Sequence, residues 1–166
     1  MPLCFVSVGS NVERERHVRG ALAALRERFG PLLVSAVYET PAIGFAGDPF
    51  YNLVVAFFTE DYPSGVAQAL AAIEAAHGRE RGGACFAPRT LDLDLLLYGD
   101  RVIDEPGLRL PRPDIDKYAF VMEPLAEIAP NLEHPRIGQS YRQLWEQFDK
   151  SGGAKTITGA HDEPSR

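Results

Sequence analysis

The stretch Pro88-Arg-Thr-Leu-Asp-Leu-Asp-Leu-Leu-Leu-Tyr-Gly99 reads as a buried strand over residues 91–98, with two carboxylates, Asp92 and Asp94, set into it. Residues two apart on a strand face the same side. Asp92 and Asp94 therefore project together, with Cα atoms ~6.6 Å apart at a rise of ~3.3 Å per residue. Leu91, Leu93 and Leu95 take the opposite face. Two ionised carboxylates on one partly buried face repel each other and lose hydration. Either a cation relieves both penalties, or the face is solvated and each aspartate pairs with an arginine. Paired carboxylate oxygens, with phosphates and water completing the shell, suit Mg²⁺.

Upstream of this strand, residues 78–89, GRERGGACFAPR, form a glycine-containing loop with Arg79, Arg81 and Arg89. A metal with guanidiniums is equipment for holding a polyphosphate while charge moves along it. The other possibility for these arginines is a surface salt-bridge cluster with Glu80 and the aspartates. No GxxxxGK[ST] motif occurs, which speaks against a P-loop fold.

Working outward, residues 3–8 are a short strand-like run ending at Gly9-Ser10-Asn11, where Asn11 is expected as a helix N-cap. Val18, Ala21, Leu22, Leu25 and Phe29 follow at helical spacing, and Gly30-Pro31 stops that helix. Residues 32–38 are β-branched-rich and strand-like. Residues 40–49, TPAIGFAGDP, carry the punctuation of a long loop. Residues 52–59, NLVVAFFT, are another strand. Pro63 opens a second helix, with Val66, Leu70 and Ile73 on one face, that ends near Gly78. The order is β-α-β-β-α-β. The fold class expected is α+β, with a ferredoxin-like core and a C-terminal extension of loops and short helices, among them EPLAEIAP and SYRQLWEQF.

A chain of 166 residues with 45% hydrophobic content is expected to form one domain, over residues 1–150. The stretch 151–166, SGGAKTITGAHDEPSR, lacks an apolar period and is expected to be a loose tail. A net charge of −6 argues against a general binder of nucleic acid or anionic membranes. Cys4 and Cys85 are too few for a disulfide framework and lack zinc spacing, so a reducing cytoplasm is the simpler expectation. The first residues, MPLCFVSVGSN, turn polar too soon for a signal peptide. No apolar run approaches the ~20 residues that span a bilayer. His17, His77, His134 and His161 form no ligand spacing, and a monomer is expected.

The run F-A-P-R-T-L-D-L-D-L-L-L-Y-G, residues 86–99, resembles the signature of the 6-hydroxymethyl-7,8-dihydropterin pyrophosphokinases. Further marks are V-G-S-N, Y-E-T-P, F-Y-N before a strand, and F-V-M-E-P-L-A-E-I-A-P. The resemblance runs from Val6 to about Trp145. It implies a ferredoxin-like fold and transfer of a pyrophosphoryl group from ATP to the pterin hydroxymethyl oxygen, with release of AMP. It implies that Asp92 and Asp94 bind two Mg²⁺ ions, a clamp suited to in-line transfer. Arg79 and Arg89 match the loop and signature arginines. Glu74, Arg81, Leu95, Arg112 and Lys117 fall on the nucleotide side. On the pterin side, Phe120 matches the stacking aromatic, Phe86 a loop aromatic that closes over the ring, and Asn52 can read the pterin edge. Thr40, Pro41, Ile43 and Phe50 match the segment lining that pocket. Without the resemblance, Phe120 reads equally as core and Asn52 as a turn former.

Four positions depart from the family pattern. Arg112 stands where a histidine is usual, Tyr118 where an arginine is, Cys85 where a basic residue is, and Gly82 where a lysine is. All are polyphosphate-side positions, and Arg112 with Lys117 could restore part of the charge. An alternative expectation is a divergent paralogue with altered or lost kinase activity, acting as a pterin- or nucleotide-binding module. The loop 79–88 is expected to close over the substrates.

Overall fold

The computed structural model describes residues 1–41, 48–78, 91–148 and 155–157. The chain opens with β1 (Leu3–Ser10) and α1 (Arg14–Phe29), followed by β2 (Leu33–Val34), β3 (Val37–Thr40) and β4 (Phe50–Phe58). Helix α2 (Pro63–Ala76) precedes β5 (Asp92–Tyr98). A hairpin of β6 (Ile103–Glu105) and β7 (Leu108–Leu110) leads to α3 (Asp114–Lys117), α4 (Ala119–Ile128) and α5 (Tyr141–Gln147), and β8 (Lys155–Ile157) comes last.

The main sheet runs β5-β1-β4-β3-β8, with β2 also beside β4. Its named strand pairs are all antiparallel. Alternation along the strands divides the interior in two. Val6, Val8, Leu53, Val55, Leu91, Leu93 and Leu95 pack with Val18, Leu22 and Leu25 of α1 and Val66 and Leu70 of α2. Phe5, Val54, Ala56, Leu96 and Leu97 pack on the other face with Ile115, Val121, Met122, Leu125 and Tyr141 of α3–α5. The sheet is thus sandwiched between two helical layers, each burying a continuous apolar surface.

A register shift lies between Phe5 and Val6, where Leu96 is the extra residue on β5. Leu96 and Leu97 consequently both join the α3–α5 cluster.

Two expectations are corrected. The single strand over 32–38 is interrupted at Ser35–Ala36. There the Val54 N–H donates to Ser35 Oγ (2.9 Å) and the Ala36 N–H to the Glu127 carboxylate (3.1 and 3.2 Å). Side-chain oxygens replace ladder partners, so the strand bends into β2 and β3. Asn11 is not the N-cap of α1. That place is taken by Glu13 at φ 43, and the Asn11 amide instead donates to the Asp48 carbonyl at 3.2 Å. Further along the chain, Lys155–Ile157 pairs with Val37–Glu39 as an edge strand. The extension beyond Gly99 also contains the β6–β7 hairpin, turned through Gly107 at φ 80. The anticipated helical pieces are α4 and α5, the latter begun by a Ser140–Gln143 capping box. Among the described residues no helix is long and apolar enough to cross a membrane.

Candidate active site

The pairing register decides which side chains meet. Asp92 lies opposite Gly9, and Gly9 lies opposite Asn52, which in turn faces Tyr38. One row therefore crosses four strands: Tyr38, Asn52, Gly9, Asp92. The next row in holds Val54, Ser7 and Asp94. Directly opposed residues share a sheet face. The two aspartates thus sit on the α3–α5 face with Asn52, while Leu93 and Leu95 (5% and 6% exposed) are in the α1–α2 core. Neighbouring strands lie about 4.8 Å apart, which sets β4 and β5 roughly 9.6 Å from each other across β1.

Gly9 leaves the floor between Asn52 and Asp92 open. A Cβ there would meet Asn52 Oδ1 at 3.0 Å and the Phe50 ring at 4.0 Å. The Asn52 amide N–H donates to Thr40 Oγ1 at 2.7 Å, and both residues are buried. This bond holds the amide plane over the glycine. Thr40 and Phe50 are themselves a cross-strand pair, one position beyond Tyr51. The start of β4 is fixed by Arg14. Its guanidinium lies 4.0 Å over the Tyr51 ring, donates to the Pro49 carbonyl (2.9 Å) and pairs with Glu39 (2.8 Å).

At the other end of the row, the Arg112 N–H donates to the Leu96 carbonyl (2.9 Å), which fastens this residue beside β5. Its guanidinium reaches Asp94 Oδ1 (Nη2, 3.5 Å) and Asp114 Oδ2 (Nε, 3.4 Å). Phe120, partly buried against the α3–α5 cluster, is stacked on Tyr118 with ring centroids 5.0 Å apart and 20° between planes.

The structure thus brings Asp92, Asp94, Arg112, Asn52, Thr40 and Phe50 onto one sheet face. Pro41 is exposed beside Thr40, and Lys117 is exposed at the end of α3. The side chains of two nucleotide-side candidates lie toward the α1–α2 core. The Leu95 side chain is core, on the face opposite the aspartates. Glu74 reaches β5 from the α2 layer, and its Oε2 accepts the Leu93 N–H at 2.7 Å. Ile43, Arg79, Arg81, Phe86 and Arg89 lie outside the described residues.

Sequence reasoning gives no site role to Ser7, Gly9, Tyr38 or Asp114. The signal that finds Ser7, Gly9 and Tyr38 is the strand register: Gly9 lies between Asn52 and Asp92, Ser7 between Val54 and Asp94, and Tyr38 opposite Asn52.

Two half-buried carboxylates on one face make an oxygen-only donor set, the kind a hard divalent cation takes when phosphates and water supply the remaining ligands. Among the described residues, no cluster of three or more ligating side chains occurs. The two carboxylates fit a cation shared with a phosphate ligand.

Residues 5–130 match the family model of 7,8-dihydro-6-hydroxymethylpterin-pyrophosphokinase (HPPK). The 2-amino-4-hydroxy-6-hydroxymethyldihydropteridine pyrophosphokinase of Pseudomonas aeruginosa is 40% identical over 136 residues, covering 79% of this chain and 83% of that one. The protein of the same description from Methylorubrum extorquens is 36% identical over 156 residues, covering 92% and 97%. Among solved structures, wild-type HPPK-DHPS of Plasmodium falciparum superposes with a TM-score of 0.71 at 13% identity, covering 88% of this chain and 44% of that one. That likeness is one of fold.

Proposed function

The chain belongs to the 7,8-dihydro-6-hydroxymethylpterin-pyrophosphokinase family, and from that premise we infer its reaction and the part each group plays. It transfers pyrophosphate from ATP to the hydroxymethyl oxygen of 6-hydroxymethyl-7,8-dihydropterin, giving the pterin diphosphate and AMP in folate biosynthesis.

One observation carries the assignment of residues. The row Asn52–Gly9–Asp92 sets an amide able to read a heterocycle edge and an acidic pair on one face, separated by a strand with no side chain at Gly9. A flat ring lies over that glycine floor. Asn52 reads its edge, with Thr40, Phe50 and Phe120 around it, while Pro41, Ile43 and Phe86 complete the pocket. The hydroxymethyl group then points toward β5. Asp92 and Asp94 would hold two Mg²⁺ ions, which when bound neutralise charge on the transferring phosphates. Arg79, Arg81, Arg89 and Lys117 grip the phosphate oxygens, the arginines with forks that can bind them bidentately. Arg112 lies within reach of the same phosphates. Glu74 and Leu95 serve the nucleotide indirectly, by fixing β5. Alignment of the hydroxyl with the phosphate, rather than a base of raised pKa, supplies most of the acceleration.

The order of β1, α1, β2–β3, β4, α2 and β5, with strands arranged β5-β1-β4-β3, supports reading the core as ferredoxin-like. Residues 1–150 act as one unit, and we take the protein to work as a cytoplasmic monomer without membrane or nucleic-acid partners.

The test is AMP release from protein, MgATP and the dihydropterin alcohol. The parent turns over. Asp92→Ala and Asp94→Ala each lose roughly a hundredfold or more, the scale of removing a transition-state charge contact. A well-folded parent releasing AMP at the no-enzyme rate would instead establish a binding module that has lost its phosphate contacts.

A further inference from the structure

One nitrogen of Arg14 joins two strands. Its Nη1 donates to the Pro49 carbonyl at 2.9 Å and to Glu39 Oε2 at 2.8 Å, while the guanidinium lies 4.0 Å over the Tyr51 ring. Glu39 and Tyr51 are partners across β3 and β4, and their rung lies between Tyr38–Asn52 and Thr40–Phe50. Side chains alternate faces along a strand. Tyr51 and Glu39 therefore point to the α1–α2 side, and Asn52, Thr40 and Phe50 to the side of the acidic pair. Arg14, the first residue of α1, thus grips from behind the rung that separates the two site-facing ones. A second tie, from the Asn11 amide to the Asp48 carbonyl (3.2 Å), anchors the neighbouring residue to the β1–α1 turn. On the front of the sheet, the Asn52 amide donates to Thr40 Oγ1 at 2.7 Å, across the same two strands. Thr40 ends β3 and Phe50 begins β4, and terminal rungs are the ones that fray. The Arg14 and Glu39 side chains are 27% and 30% exposed, so their pair escapes much of the screening that weakens surface ion pairs.

We propose that Arg14 is a positioning residue for the dihydropterin: by clasping the Glu39–Tyr51 rung and the Pro49 carbonyl from behind, it sets the spacing at which Asn52 and Thr40 present their polar atoms to the ring edge. This rests on reading Asn52 as the group that recognises that edge. Arg14 lies on the opposite face of the sheet from the acidic pair and acts only through β3 and β4. Its loss lets the ends of these strands separate, which strains the bond between Asn52 and Thr40. β5 and its aspartates, on the far side of β1, keep their place. Pterin binding is therefore weakened and nucleotide binding is not. A residue that merely held the fold together would weaken both alike.

The experiment is steady-state AMP release by the full chain, with the dihydropterin alcohol and MgATP varied in turn. The proteins are the parent, Asn52→Ala, Arg14→Gln, Arg14→Lys, Glu39→Gln and the Arg14→Gln/Glu39→Gln double variant. Arg14→Gln raises the KM for the dihydropterin roughly three- to tenfold, less than Asn52→Ala does, and leaves the KM for ATP within about twofold of the parent. Glu39→Gln raises the pterin KM by a smaller factor, because the Pro49 and Tyr51 contacts remain, and adds nothing in the Arg14→Gln background. An unchanged pterin KM in Arg14→Gln, an equal rise in both constants, or additive effects in the double variant overturns the proposal. A pterin KM unmoved by Asn52→Ala overturns the reading of Asn52 itself. Arg14→Lys keeps the charge beside Glu39 but loses the flat stack on Tyr51, so it recovers part of the loss. Should Arg14→Gln not fold, a pterin-selective rise in Arg14→Lys supports the proposal and its absence overturns it.

Discussion

A side chain at Gly9 would occupy the space through which Asn52 and Asp92 face each other. The Cβ of an alanine there, 3.0 Å from Asn52 Oδ1, is tighter than ordinary contact and pushes the amide against its bond to Thr40. Gly9→Ala therefore raises the KM for the dihydropterin about tenfold, the worth of one good hydrogen bond, and leaves the KM for ATP nearly unchanged. Steady-state AMP release gives both constants. An equal rise in the two would contradict the placement of the ring over β1. At this scale the sequence was legible where a rule of local alternation applied: Asp92 and Asp94 do share a face. It was not legible where three strands had to be aligned first, which is why Gly9 shows only as the end of a strand-like run and not as the floor between Asn52 and Asp92. Phe120 could be recognised as an aromatic of the right kind, but its stacking on Tyr118 depends on how α4 begins.

Among the elements, the break between β2 and β3 is the instructive case. Residues 32–38 have the β-branched run of an unbroken strand. Ser35 is fully buried, and its hydroxyl, not a backbone carbonyl, takes the Val54 N–H. Glu127 reaches from α4 to accept both the Ala36 N–H and the Tyr38 hydroxyl. The deviation is thus made by one side chain far downstream, Glu127, as well as by Ser35 itself, and a local pattern carries no trace of it. Ser35→Ala leaves a buried N–H without its acceptor. It lowers unfolding free energy by about 1–3 kcal/mol. Urea denaturation should show a shifted midpoint at constant m, and an unmoved midpoint would remove the hydroxyl from this role. Helix α1 teaches the same lesson at a smaller cost. Its body was set by apolar spacing, while its start slipped from Asn11 to Glu13 because Asn11 binds Asp48.

For the whole molecule, two histidines join helical segments to one another, His77 to His17 of α1 and His134 to Tyr141 of α5, and set the response to acid. His134 is 2% exposed; its Nδ1 accepts the Arg136 N–H, and burial pushes its pKa below 6.5, against the opposing pull of Asp116. His77, whose Nδ1 lies 2.9 Å from that of His17, is also lowered, by burial first, then by His17 and Arg16. Both groups bind protons less readily folded than unfolded. Their contribution is therefore complete above about pH 6.5 and is lost progressively as pH falls below it. Urea midpoints should be flat from pH 7 to 8 and decline below about pH 6.5. In a His77→Gln/His134→Gln variant that decline becomes shallower, and an unchanged slope would assign the acid response to other groups. The alternation of strand and helix segments up to β5 was readable from glycine and proline punctuation, apart from the break between β2 and β3. The packing of α3–α5 over the acidic face was not, since their short apolar runs do not say which side of the sheet they cover.

Glu74 takes the Leu93 N–H at the outer border of the sheet. A foreign strand adding there would need that rung, so lateral growth into fibrils or strand-exchanged pairs is obstructed beside the acidic pair.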